Sequence, residues 1–383
     1  MKHSARIIPI YAADTSGVCS ALYELGGMTV VHDASGCNST YTTHDEPRWY
    51  DIDSMVYISA LTETEAIMGD DAKLVSDITE TASKLSPKFI ALCGAPVAMM
   101  IGTDYQALAI EIEENTGIPS FCIQTNGMHS YLKGASEAFE AIINRFCKED
   151  NMPQKKDSVN ILGATPLDFS VNGSIKSIKQ WLYTEGFSTV SCMGMGSSLE
   201  DIKNAAGASV NLVISYSGLS AAKLLKKRFG TPYVTGVPFG QKFAGVLADK
   251  LRTASKNKEN LFPSSERFTN GSNLSIVGES IYSGSLARAI ELEYGKTARV
   301  LCPLETSTEL QAESDGEIPD EESAEKELAL ASGIIADPLY KPICPNDVPF
   351  YRLPHEAFSG RCYRSEIPNM IKESLKATVF RDI

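Results

Sequence analysis

Short apolar runs alternate with segments whose apolar residues recur every three or four positions from Met55 onward, and this rhythm predicts most of the architecture. Phe89 to Leu92 reads as a buried strand. Tyr105 to Glu114, with Leu108, Ile110 and Ile112 among polar residues, reads as the helix behind it, and Ser120 to Gln124 as the next strand. Asn151, Pro153 and Lys155-Lys156-Asp157 break the pattern, and Val159 to Gly163 restarts it with a new strand and a glycine turn. A helix over Ile175 to Tyr183, a strand over Val210 to Ser215 and a helix over Ser220 to Phe229 follow, the last stopped by Gly230. The polar stretch Lys256 to Asn273 precedes a third restart at Ser275 to Glu279. Strands alternating with helices imply parallel sheets covered on both faces. The expectation is an α/β protein of three Rossmann-like domains, parallel sheets flanked by helices, over 1–155, 156–270 and 271–383. Within the third, the acid-dense stretch Glu305 to Glu327 predicts a solvated loop entering a helix near Pro319.

Composition narrows the partners. Hydrophobic residues make up 43% of the 383 positions and charged residues 22%, enough apolar side chain for several cores. A net charge of -13 repels nucleic-acid backbones and anionic membranes at long range, so neither is expected as a partner, whereas a basic protein surface is attracted. The segment MKHSARIIPIYAADTSG lacks the apolar core of a signal peptide and no run of about 18 apolar residues occurs, which predicts a cytoplasmic protein. Nine cysteines scattered through the chain read as reduced thiols, some of them metal ligands, rather than as a disulfide framework.

The segment most suggestive of chemistry is His32-Asp33-Ala34-Ser35-Gly36-Cys37, after the apolar run Met28 to Val31. A strand there delivers a cysteine into a tight loop, where Gly36 lets backbone approach a bulky ligand and His32 stands at the strand end. On spacing alone a lone loop cysteine is more often a spectator, and no CxxC pair accompanies it. His129, after the strand ending near Gln124, falls where crevice residues of open sheets lie. His44, Asp45, Glu46, Arg48 and Trp49 form a polar and aromatic cluster able to gate a cluster or line a pocket, or else are simply a surface turn closed by Pro47. Gly194, Gly196 and Ser197 lack the third glycine of a dinucleotide fingerprint and any following Gly-Lys-Ser/Thr, so a plain strand-to-helix turn is expected.

Three stretches, CSALYELGGMTVVHDASGC, LTETEAIMGDDAKLVSDI and KFIALCGAPVAMMIGTD, in this order and at these intervals, resemble the N-terminal domain of nitrogenase component 1 proteins. That group includes the molybdenum-iron protein subunits, the cofactor-assembly scaffolds and the reductases acting on protochlorophyllide and nickel-sirohydrochlorin. VNLVISYSGLSAAKLLKKRFGTPYV and SIVGESIYSGSLARAIELEYG look like its second and third domains. The resemblance implies that Cys37 ligates an iron-sulfur cluster at a subunit interface. Cys19 is then either a second ligand or a small core residue, and Cys93 either reaches the cluster or ends a strand. Asp14 stands near the register of the family's first ligand. With fewer thiolates than a double cluster wants, a 4Fe-4S cubane shared across a homodimer is implied. Where the family carries its cofactor cysteine this chain has Ser215, followed by Tyr216, and a serine is a poor iron ligand. His355 lies in the loop that supplies the family's cofactor histidine, and is either an ordinary loop histidine or an acid or ligand.

The leading expectation is therefore a reductase component that receives electrons from a nitrogenase iron-protein-like ATPase and passes them to a small-molecule or tetrapyrrole substrate other than dinitrogen, with His355 as a proton source. A non-catalytic scaffold or carrier for a metallocluster or tetrapyrrole is the second reading, and a clusterless binder of a small organic ligand the third.

Overall fold

The computed structural model describes residues 5–34, 45–147, 153–268, 274–373 and Leu375. Its thirteen described strands form three sheets, parallel throughout. The first has β1 (Met28–His32), β2 (Met55–Ile58), β3 (Ile90–Gly94) and β4 (Ser120–Ile123) in the order β2-β1-β3-β4. In the second, β5 (Ser158–Leu162), β6 (Ser188–Cys192), β7 (Val210–Val213) and β8 (Tyr233–Thr235) run β6-β5-β7-β8. The third orders β9 (Leu274–Val277), β10 (Arg299–Cys302), β11 (Gly316–Glu317), β12 (Gly333–Ala336) and β13 (Phe350–Arg352) as β11-β10-β9-β12-β13. This is the α/β architecture of three Rossmann-like units that the apolar rhythm predicts.

Local chemistry explains the helices between strands. Ser130 caps the helix Tyr131–Phe146 by accepting from the Leu132 amide, and Leu132, Ala135, Phe139, Ile142 and Ile143 line its buried stripe. Asp104 caps Tyr105–Thr116 by accepting from two amides, and Gly117 ends that helix in the left-handed region. The helix Leu219–Phe229 stops at Gly230 in the same way. In the acid-dense stretch the helix Glu321–Leu328 starts just past Pro319, and the two-residue edge strand β11 precedes it, with no apolar run to announce it.

The ends of the chain cross between units. Residues 5–13 strap the third unit: the Tyr11 and Ala12 amides donate to Ala357 O at 3.0 and 3.1 Å, the Tyr340 hydroxyl donates to Pro9 O, and Arg6 pairs with Glu321 and Glu325. At the other end Ile371 bridges Phe239, and Met370, Ile371 and Leu375 enter the core beside the second sheet. The helix Tyr131–Phe146 packs on Leu219–Phe229, and one apolar cluster joins Val18, Phe139, Leu162 and Leu225. The three sheets are thus seated on shared cores, which brings their carboxyl ends together.

Candidate functional site: a crevice and a closed junction between three sheets

A backbone-to-backbone helix crossing positions the site. The helix Asp14–Leu22 lies against Tyr131–Phe146, and a Cβ on Gly17 would stand 2.0 Å from Tyr131 O, one on Gly134 1.9 Å from Asp14 O. Only glycine permits that approach. It aims the Asp14 carboxylate, 1% exposed, at the loop after β4, where it accepts from the Thr15, Asn126 and Gly127 amides at 2.7, 3.0 and 2.9 Å. Both its oxygens are engaged in holding that loop. His129, carried by the loop, is half exposed, with Nδ1 3.1 Å from Asn126 Oδ1 and 3.8 Å from Asp14 Oδ2. Ser130 donates to Glu305 of the third unit through both its amide and its hydroxyl.

Around this contact lie two crevices. One, of about 590 Å³, is walled by residues 10–13 of the strap, the 127–130 loop and the end of β10 with Cys302, Leu304 and Glu305. The other, of about 480 Å³, is walled by His129, Lys133, Tyr216, Lys223 and Glu305. They share His129 and Glu305 and lie beyond the carboxyl ends of β4 and β10, where ligands of open α/β sheets bind. His129 and Tyr216, on separate units, meet here. Glu305, in a segment expected to be solvated, is what the sequence did not signal.

Behind the crevices the three units close on a buried polar junction. Tyr131 donates to Asp168 Oδ1, Thr165 donates to Asp168 Oδ2, and His355 Nε2 lies 3.6 Å from Asp168 Oδ1. His355 is 7% exposed, and neither ring nitrogen has a hydrogen-bond partner among the described residues. Its ring packs among Tyr131, Tyr282 and Phe358, and it lines neither crevice. Glu279 caps the helix Ser280–Tyr294, accepting from the Ile281 and Tyr282 amides and, across the unit boundary, from the Tyr216 amide at 3.0 Å. Burial, then the neighbouring Asp168 charge, push its carboxyl up to about 7. Ser215 is fully buried, its hydroxyl accepting from the Ser217 amide and 3.0 Å from the Ser217 hydroxyl, so it caps a turn.

The candidate cluster ligands sit elsewhere, by the first sheet. Cys19 and Cys93 are both fully buried and neighbour each other, and Cys93 Sγ donates to Val30 O at 3.7 Å. The Cys93 contact, then burial, push the Cys19 thiol up. His32 is 3% exposed, with Nδ1 2.8 Å from Ser59 Oγ; Nε2 has no partner among the described residues, nor has the hydroxyl of Tyr105, whose ring stands edge-on to it. Such orphaned polar atoms at the ends of β1 and β3 are what an additional polar group would satisfy. Gly36, Cys37 and His44 lie outside the described residues. Among the described residues no three His, Cys, Asp or Glu side chains converge as a metal site.

One sequence expectation is corrected. Glu46 and Arg48 neither line an open pocket nor sit in a surface turn: they are 1% and 2% exposed. The Arg48 guanidinium donates to Glu46, Glu24, Ser20 O and Gly194 O and lies 4.6 Å over the Tyr23 ring, bolting the first unit to the turn after β6. That turn, with Gly194 and Gly196, is the strand-to-helix connection its incomplete motif implies.

A profile of the nitrogenase component 1 type oxidoreductases matches residues 17–259, more than half of the chain. The chain belongs to that family. Among curated relatives of this nitrogenase component 1 protein, the nitrogenase iron-molybdenum cofactor biosynthesis protein NifE of Clostridium pasteurianum is 30% identical over 176 residues, 45% of this chain and 38% of that protein. A component of the light-independent protochlorophyllide reductase of Prochlorococcus marinus (strain MIT 9515) is 27% identical over 261 residues, 59% of this chain and 48% of that component. The chain spans less than half the length of these relatives. Nitrogenase Cp1 at pH 6.5 superposes with a TM-score of 0.71 over 97% of this chain and 92% of that one at 15% identity, a likeness of fold. No helix among the described residues is long and apolar enough to cross a membrane.

Proposed function

We propose that this protein is a nitrogenase-like reductase component that receives electrons from an ATP-dependent iron-sulfur partner and delivers them to an organic substrate, not dinitrogen, held in the crevice at His129 and Glu305. The observation that carries the reading is that crevice, at the carboxyl ends of two sheets of a nitrogenase component 1 fold, together with Ser215. The Ser215 hydroxyl, spent on a turn, replaces the thiolate that a metal cofactor would need.

A shared 4Fe-4S cluster in a homodimer would be held by Cys37 of each protomer, with His32 Nε2 and the Tyr105 hydroxyl as the polar groups left over at the ends of β1 and β3. Cys19 and Cys93 fit that role only if their thiols leave the core, and Asp14 only if it releases the 126–127 loop. When bound, the cluster supplies single-electron transfer. This chain's own residues do the rest: Asp14 orients the loop bearing His129, and His129 lines the crevice as the group within reach that can exchange a proton with the substrate. His355, behind Tyr131 and lining neither crevice, does not touch a substrate held there. The eight free thiols among the described cysteines support a reducing, cytoplasmic setting.

Iron and acid-labile sulfide per dimer on anaerobically purified protein, with electron paramagnetic resonance after dithionite, test this for wild type and Cys37→Ala. About four irons, lost in the variant, are expected. A wild type that stays empty after reconstitution overturns the reading. The similarity to NifE favours one alternative, a non-catalytic carrier of a metallocluster or tetrapyrrole. Turnover with a reduced partner separates the two.

A further inference from the structure

The crevice walls are one-sided in charge. Among the described residues lining the larger space there is no lysine or arginine, whereas Glu305 and Glu317 both line it beside apolar Ile10, Leu304 and Pro319. In the adjoining space the two lysines are already paired, Lys133 with Glu137 at 2.9 Å and Lys223 with Glu309 at 2.6 Å, and Glu140 adds a further acid. Glu305 accepts from Ser130, yet a carboxylate has about four acceptor positions, so capacity remains. His129 is arranged the same way. Asn126 Oδ1 accepts from the Met128 amide and faces His129 Nδ1, so in the uncharged ring that nitrogen carries the hydrogen and Nε2 is the acceptor. The field reaches the wall: burial first, with Glu279, Glu317 and Glu305 adding to it, pushes the Cys302 thiol up, and burial followed by Glu305 does the same to Tyr216.

We propose that this crevice selects a substrate bearing a cationic amine or amidine on an apolar body and rejects carboxylate-bearing or phosphorylated molecules, tetrapyrrole acids included. The inference rests on the crevice being the substrate site and narrows the two substrate classes left open above. A cleft of about 590 Å³ with mixed apolar and acceptor walls suits a molecule of drug size. An amine gains the Glu305 and Glu317 carboxylates, whereas an acid meets them at close range and finds no unpaired cation among the described lining residues, so discrimination comes from repulsion as much as from attraction.

Isothermal titration of the full chain with tryptamine and with indole-3-propionate, which share a ring and differ in the sign of the charge, tests this at pH 7 without reductant or partner. Tryptamine is expected to bind one site per chain about tenfold more tightly than the acid. Glu305→Gln with Glu317→Gln should abolish the preference, and Glu317→Gln alone, an exposed edge-strand position that threatens no fold, should reduce it. Equal or tighter binding of the acid, no binding of either, or a preference that survives the double variant overturns the proposal. Iron-free protein that still discriminates would sink the reductase reading alone, and iron-loaded protein that does not would sink only this inference.

Discussion

The crevice at His129 and Glu305 and the junction at Asp168 and His355 lie a few side chains apart, at strand ends of the same three sheets, yet one is open and the other shut. In the junction, Tyr131 from the first unit, Asp168 from the second and His355 with Glu279 from the third fill the space between sheets with one another. In the crevice, the strap 10–13 and the 127–130 loop are bridged to each other at Ala13 and Ser130 and leave a space against the end of β10. A strand end is therefore only an opportunity for a site, and the residues that neighbouring units push into it decide whether room remains.

The contrast predicts that substitutions in the closed seams cost stability, whereas those in the crevice cost binding. Arg48→Ala takes the guanidinium away from the buried Glu46 carboxylate in the seam between the first two units and should cost about 3–5 kcal/mol in urea denaturation. A loss below about 1 kcal/mol would mean that the seam is solvated. Tyr131→Phe removes the hydroxyl donor from buried Asp168 at the junction, for about 2 kcal/mol by the same measurement. Glu279 adds a pH dependence. Its folded carboxyl keeps the proton to about 7, against an ordinary 4.5, so folding binds a proton between those values and stability falls as pH rises through that window and is level above it. Glu279→Gln should flatten the difference between urea midpoints at pH 5 and pH 8. The smallest effect on stability belongs to the crevice: Glu317→Gln should stay within about 0.5 kcal/mol of wild type while weakening tryptamine binding.

Much of the fold was legible because strands and helices announce themselves locally. Phe89 to Leu92 is continuous apolar sequence, and Gly230 ends a helix by its own conformational preference. The crevice was half legible: His129 and Tyr216 follow strands directly, and position after a strand is a local fact. Glu305 was not, because it sits in a stretch that reads as solvated acid and gains its role only by meeting Ser130 across 175 residues. Arg48 escapes a sequence reading for the same reason, since nothing adjacent to it in the chain reveals that Glu24, Ser20 and Gly194 will surround it.

By itself, then, the sequence determined three parallel sheets, their order along the chain, and the absence of a cysteine at Ser215, because apolar periodicity, turn residues and side-chain identity are properties of neighbours in the chain. Tertiary structure alone decided which strand end stays open, that Cys19 and Cys93 lie buried together, and that acidic groups dominate the crevice, because each depends on groups from distant segments sharing one volume and one electrostatic field.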